Sequence, residues 1–152
     1  MPSVNEAGGA EVKAVSANAL AESTAPESKM AKTVLVVDDS STVRQQVSLA
    51  LKQAGFEILE AADGQEGIAQ VAGNRAIDMV VCDVNMPNVN GLEMVERIKS
   101  RPEHKGLPIL MLTTEGQPSM IKRAKQAGAA GWIVKPFDAN QLVAAARHLT
   151  RG

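Results

Sequence analysis

The stretch "TVLVVDDSSTVRQQV", residues 33–47, decides the fold. Val34 to Val37 form an unbroken apolar run that stops at two adjacent acids, Asp38 and Asp39. A run with no polar alternation suits a strand buried on both faces, as in a parallel sheet covered by helices. Two neighbouring carboxylates repel each other, and at the end of a buried strand that repulsion calls for a positive partner.

The same rhythm recurs downstream. Apolar runs at 33–38, 56–61, 76–83, 107–113 and 131–135 alternate with helical patterns at 41–54, 64–73, 91–100, 118–127 and 138–150. Asp63 with Glu66, Asn90 with Glu93 and Asp138 with Gln141 have capping-box spacing, in which the first residue accepts from backbone N–H groups and the second reaches back. Pro118 suits the first turn of its helix, where a missing N–H costs nothing. Gly55 and Gly128 suit left-handed helix ends. The segment "FEILEA" (56–61) alternates as an edge strand does, whereas Ile109–Leu112 reads as central. Five strand–helix units of this length imply right-handed crossovers and a parallel sheet with both faces covered. The fold class is therefore α/β, doubly wound.

Residues 1–31 differ in kind. They are rich in Ala, Ser, Glu and Gly and contain neither aromatic residues nor Ile. Too little apolar surface is on offer to offset the entropy of ordering, so a disordered or weakly helical N-terminal tail is expected, with 32–152 as the folded domain. A short helix around Val12–Leu20 and a translation start at Met30 are both compatible with this segment. The whole chain, 152 residues, has room for one domain and a modest extension. A net charge of −1 argues against general nucleic-acid binding. No apolar run is long enough to insert in a membrane, and no secretory signal is visible, so a cytoplasmic location is expected. Cys82 is the single cysteine and excludes an internal disulfide framework.

In doubly wound sheets the ligand site lies at the carboxyl ends of the strands, near the reversal of winding. Asp38, Asp39, Asp83, Thr113 and Lys135 all fall at such ends. Three carboxylates can hold a hard divalent cation such as Mg2+, which prefers oxygen ligands. Such a cation offsets the repulsion of the acidic pair.

The segments "VLVVDDSSTVR" (34–44), "DVNMPNVNG" (83–91), "LMLTTE" (110–115) and "QAGAAGWIVKPF" (126–137) occur in that order. Together they resemble the receiver domain of two-component response regulators, in particular the single-domain chemotaxis (CheY-like) type, over residues 32 to about 150. The resemblance implies a flavodoxin-like (βα)5 fold with strand order 2-1-3-4-5. It implies that Asp83 is a phosphoacceptor for a CheA-like histidine kinase. Mg2+ is implied as cofactor, on Asp39 and Asp83 directly, on Asp38 through water and on the backbone carbonyl of Asn85. Lys135, Thr113 and Thr114 are implied to meet the phosphoryl group. The resemblance further implies that Thr113 moves toward that group as the aromatic residue on the fifth strand turns inward. That aromatic is Trp132, where Tyr or Phe is more usual, and its indole N–H needs a partner. Asn85 and Glu115 flank the site and are expected to influence dephosphorylation. A cis Lys135–Pro136 peptide is implied, aiming the lysine. Lys122, Arg123, Lys125 and Arg147 would lie on the family's output face, formed by the fourth helix, fifth strand and fifth helix. The plainer reading of those cations is a solvated surface.

The function expected is that of a stand-alone response regulator, a monomer as the resemblance implies, that is not an enzyme beyond assisting its own phosphorylation and dephosphorylation. With the chain ending at Gly152, output is expected through contact with a downstream protein such as a motility switch, with a phosphatase as a further partner. No direct nucleic-acid contact is expected. Alternatives are a phosphate sink, a phosphate-independent adaptor, and an aspartyl-phosphate phosphatase of the haloacid dehalogenase type. The last needs a D-x-D pair, and Asn85 stands where the second acid belongs. A flavin or nucleotide binder would need a Gly-rich loop after the first strand, and none is there. Cys82 reads as an inert core thiol and Met79, Met94, Met111 and Met120 as packing residues. His104 and His148 have no ligand-spaced neighbours that would make a transition-metal site.

Overall fold

The unbroken apolar run of residues 34–37 is buried on both sides in the computed structural model, which describes residues 31–74, 76–86, 90–114 and 118–151. The expected tail, apart from Ala31, and Glu115 lie outside the described residues. The run forms β1 (Thr33–Val37), and the chain continues through α1 (Ser41–Gln53), β2 (Glu57–Ala61) and α2 (Gly64–Gly73). There follow β3 (Met79–Asp83), α3 (Gly91–Lys99), a 3-10 turn (Pro102–His104) and β4 (Ile109–Thr113). The last elements are α4 (Pro118–Ala127), β5 (Gly131–Val134) and α5 (Ala139–Thr150). All strand pairs are parallel, and the order is β2-β1-β3-β4-β5. The doubly wound, flavodoxin-like expectation holds, with β1, β3 and β4 inside and β2 at an edge.

Side chains alternate across a strand, and here the alternation sorts the apolar residues into two cores. Leu35, Val37, Val80, Cys82, Ile109 and Met111 face one layer, which includes Val71 of α2, Met94 and Val95 of α3 and Ala124 of α4. Val34, Val36, Met79, Val81, Leu110, Leu112 and Ile133 face the other, with Val47 and Leu51 of α1 and Leu142 and Ala146 of α5. β1, β3 and β4 thus bury both faces, whereas the edge strands β2 and β5 are only partly covered and β2 carries Glu57 and Glu60 to the surface. Among the described residues no helix is long and apolar enough to cross a membrane.

The helix ends follow their sequence signals with small differences. Asp63 accepts from Glu66 N at 2.8 Å, and Glu66 reaches back to Ala62 N at 2.7 Å, one residue ahead of the cap itself. Asn90 accepts from Glu93 N at 2.9 Å. Asp138 caps Asn140 N at 2.8 Å, where the spacing pointed to Gln141. Gly55 and Gly128 take φ values of 100° and 109°, a region L side chains disfavour. β3 begins at Met79 and not at residue 76, because side chains serve the preceding backbone: Asn74 Oδ1 accepts from Ala76 N, and Asp78 Oδ2 from Thr33 N.

Candidate functional site

The carboxyl ends of β1, β3, β4 and β5 bring together side chains that are far apart in sequence. Asp38 follows β1, Asp83 ends β3, Thr113 ends β4 and Lys135 follows β5. Asp38, Asp83 and Thr113 are buried, while Asp39 is exposed. Lys135 Nζ lies 3.1 Å from Asp83 Oδ1 and 3.4 Å from Asp38 Oδ2. Its own backbone N–H donates to Thr113 O at 2.7 Å, so the lysine is tied to the end of β4 before its side chain reaches the acids.

The acidic loop is held by its own turn. Asp38 Oδ1 accepts from Ser40 N at 2.8 Å, closing an Asx turn. Ser40 Oγ in turn accepts from Val43 N at 3.3 Å and caps α1. This cap is absent from the sequence expectations above, although a Ser just ahead of a helical pattern is a sufficient cue for it. On the other side of the site, Gly91 N donates to Val84 O at 2.9 Å. A Cβ at Gly91 would collide with the Asp83 carbonyl oxygen and lie 2.8 Å from Val84 Cα. The glycine of the D-x-x-M-P-x-x-x-G segment thus lets α3 start directly against the Asp83–Val84 peptide.

One ligand atom from each of Asp38, Asp39 and Asp83 can be chosen so that all lie within 4.8 Å of one another. All three donors are hard oxygens, and one lysine is too little to balance three carboxylates. The donor set therefore suits an oxygen-seeking divalent cation such as Mg2+. Burial, opposed by the Lys135 hydrogen bond and reinforced by the charge of Asp38, holds the Asp83 carboxyl above its ordinary range. Burial also pushes the neighbouring Cys82 thiol far up, and its Sγ faces the Asp83 carbonyl and Met94, in keeping with an inert core thiol.

The remaining expected residues fall as follows. Asn85 and Thr114 are exposed just beyond β3 and β4. The Lys135–Pro136 peptide is cis. Trp132 is half-buried in β5, pairs with Met111 in register and packs toward the core shared with α4. Lys125 of α4 places its ammonium 5.1 Å from the centre of the indole ring. Lys122, Arg123 and Lys125 are exposed on α4. Arg147 is exposed on α5, which packs on the other face of the sheet, and its Nη2 donates to Ala54 O at the end of α1.

Residues 34–147 match the response regulator receiver domain family. The chain belongs to that family. The receiver is 41% identical over 110 residues to chemotaxis protein CheY1 of Helicobacter pylori (strain ATCC 700392 / 26695), covering 72% of this chain and 89% of the relative. It is 39% identical over 110 residues to a chemotaxis protein CheY homolog of Campylobacter jejuni (subsp. jejuni serotype O:23/36, strain 81-176), covering 72% and 85%. Among solved structures it resembles chemotaxis protein CheY4 of Vibrio cholerae, with a TM-score of 0.74 and 42% identity, covering 78% of this chain and 98% of that chain.

Proposed function

We propose that this receiver accepts a phosphoryl group on Asp83 from a histidine kinase and thereby changes its affinity for a partner protein in chemotaxis or motility signalling. The convergence of Asp38, Asp39 and Asp83 with Lys135 at three strand ends carries this reading. The similarity to proteins named for chemotaxis supports the pathway class. On this reading the protein is a cytoplasmic signalling component and not a conventional enzyme, and residues 32–152 form its receiver unit.

The carboxylate of Asp83 is the nucleophile. Its oxygen forms a bond to phosphorus as the bond from phosphorus to the histidine nitrogen of the donor breaks, the imidazole keeping the electron pair. Burial works against ionisation of Asp83, and the charge-assisted hydrogen bond from Lys135 works for it. Lys135 can then follow the incoming charge, because its ammonium already bridges Asp83 and Asp38. Asp39 and Asp83, with Asp38 and the Asn85 carbonyl, would hold Mg2+. What Mg2+ supplies when bound is neutralisation of charge on the phosphoryl oxygens. Thr113 donates its hydroxyl to the phosphoryl group, Thr114 and Asn85 border its access, and Trp132 responds on the α4 side of β5.

The direct test follows Trp132 fluorescence and intact mass on adding Mg2+ and acetyl phosphate, in the wild type and Asp83→Ala. One Mg2+-dependent phosphoryl group per chain in the wild type, absent in the variant, is expected. No phosphoryl group on the wild type would leave a receiver that acts as a phosphate-independent adaptor.

A further inference from the structure

The exposed carboxylate of Asp39 has no hydrogen bond or ion pair among the described residues, so its placement depends on the backbone that carries it. That backbone is fastened from one side by Arg44. Arg44 Nη1 donates to the carbonyl oxygen of Asp38 at 2.6 Å, and its Nε donates to Glu60 Oε1 at 3.0 Å. The arginine side chain is 19% exposed and the glutamate 40%. Glu60 is itself anchored, since it belongs to β2 and its carbonyl accepts from Gln70 Nε2 of α2 at 2.7 Å.

The carbonyl of Asp38 and the N–H of Asp39 share one peptide plane. Fixing that carbonyl fixes the plane, and with it the direction in which the Asp39 side chain departs. Asp38 N donates to Ala61 O at 3.1 Å, so the peptides on both sides of Asp38 are referred to β2. The planar fork of the guanidinium is suited to this, because two donors at a set angle span a carbonyl and a carboxylate at once. An ammonium has no such fork.

We propose that Arg44 is a positioning residue that orients Asp39 for Mg2+, through the Asp38–Asp39 peptide and the Glu60 anchor on β2. The inference rests on the reading of the acidic cluster given under Proposed function. Its sign separates it from a plain electrostatic effect. A cation near a metal site repels the metal, so removing its charge alone would tighten binding. Loss of positioning weakens binding instead.

Calorimetric titration with Mg2+ on the full chain decides between these, comparing wild type, Arg44→Met and Arg44→Lys. Both variants are expected to bind Mg2+ roughly tenfold more weakly, the lower end of what supporting residues contribute to metal sites. The Mg2+ concentration giving half-maximal phosphorylation by acetyl phosphate should rise by the same factor, while the rate at saturating Mg2+ stays near that of the wild type. Thermal melts in EDTA check that each variant is folded, and Arg44→Lys carries the test should Arg44→Met fail to fold. Unchanged or tighter Mg2+ binding by a folded variant overturns the role of Arg44 and leaves the acidic site standing. Absence of Mg2+ binding by the wild type overturns the reading of the site, and this inference with it.

Discussion

Lys135 and Asp83 form an ion pair at 3.1 Å whose ammonium also lies 3.4 Å from Asp38. The lysine occupies, by charge, part of the role that a metal ion would share. Replacing it by Met leaves three carboxylates to a metal alone. Lys135→Met should therefore bind Mg2+ more tightly, by roughly tenfold for the removal of one nearby charge. Its phosphorylation should nonetheless slow. Titration calorimetry and a time course with acetyl phosphate read the two effects separately, and weaker Mg2+ binding would contradict the assignment.

The raised carboxyl of Asp83 makes stability depend on pH in a defined direction. Between the ordinary carboxylate value and the folded one, the native state binds more protons than the unfolded state. Stability contributed by protonated Asp83 is thus fully present below about pH 4 and is lost as pH rises through the folded value. In EDTA, Asp83→Asn should be more stable than wild type at pH 7, and the gap should close on acidification. Urea denaturation at several pH values measures it. A gap that persists below pH 4 would have another origin.

Gly91 is required by contact and not by torsion. Gly91→Ala forces a Cβ onto the Asp83 carbonyl oxygen and Val84 Cα, both backbone atoms that cannot rotate away. A destabilisation of about 1–3 kcal/mol is expected, typical of overpacking, together with slower phosphorylation as the Asp83–Val84 peptide shifts. Gly73→Ala is the control, since a Cβ there meets nothing. Equal stabilities for the two variants would refute the packing account.

Lys99 closes the far end of α3. Its ammonium donates to the carbonyls of His104, Lys105 and Leu107, and its stem lies where a Cβ on Gly128 would be, 2.9 Å from Cγ. Lys99→Met should lose about 1–2 kcal/mol, because three carbonyls lose a charged donor. Lys105→Met, exposed in the loop, should change stability by less than about 0.5 kcal/mol. Comparable losses from both would show that the clamp contributes nothing.

The sequence made the elements readable because short unbroken apolar runs give way to helical periodicity at each boundary. α2 and α4 fall on their expected spans, and β1 stops one residue short of Asp38, whose side chain turns back to Ser40. The acids and Lys135 were legible as strand-end residues, and the resemblance gave them roles. Arg44 lies within one of the matching segments, yet nothing in its spacing indicates a bond to the Asp38 carbonyl. Lys99 and the 3-10 turn at Pro102–His104 were missed for a related reason: one side chain satisfying several loop carbonyls leaves no periodic trace. The bond from Arg147 to the Ala54 carbonyl at the end of α1 likewise leaves no sign in the charge pattern.

Residues 1–31 are expected to contribute nothing to the acidic site, being poor in apolar surface. A chain beginning at Lys32 should bind Mg2+ and become phosphorylated as the full chain does. A marked loss of either, measured by the same titration and mass assay, would place the tail within the functional unit.

The pairing of Lys135 with Asp38 spans 97 residues of sequence. During synthesis on the ribosome, both aspartates of the acidic pair and Asp83 emerge long before the lysine does. A nascent chain, or one cut short before β5, carries the acids but not their counter-charge. The strand-end cluster therefore reaches its full charge balance only once the last strand has been made and docked, so its electrostatics are among the late features of the molecule to be completed.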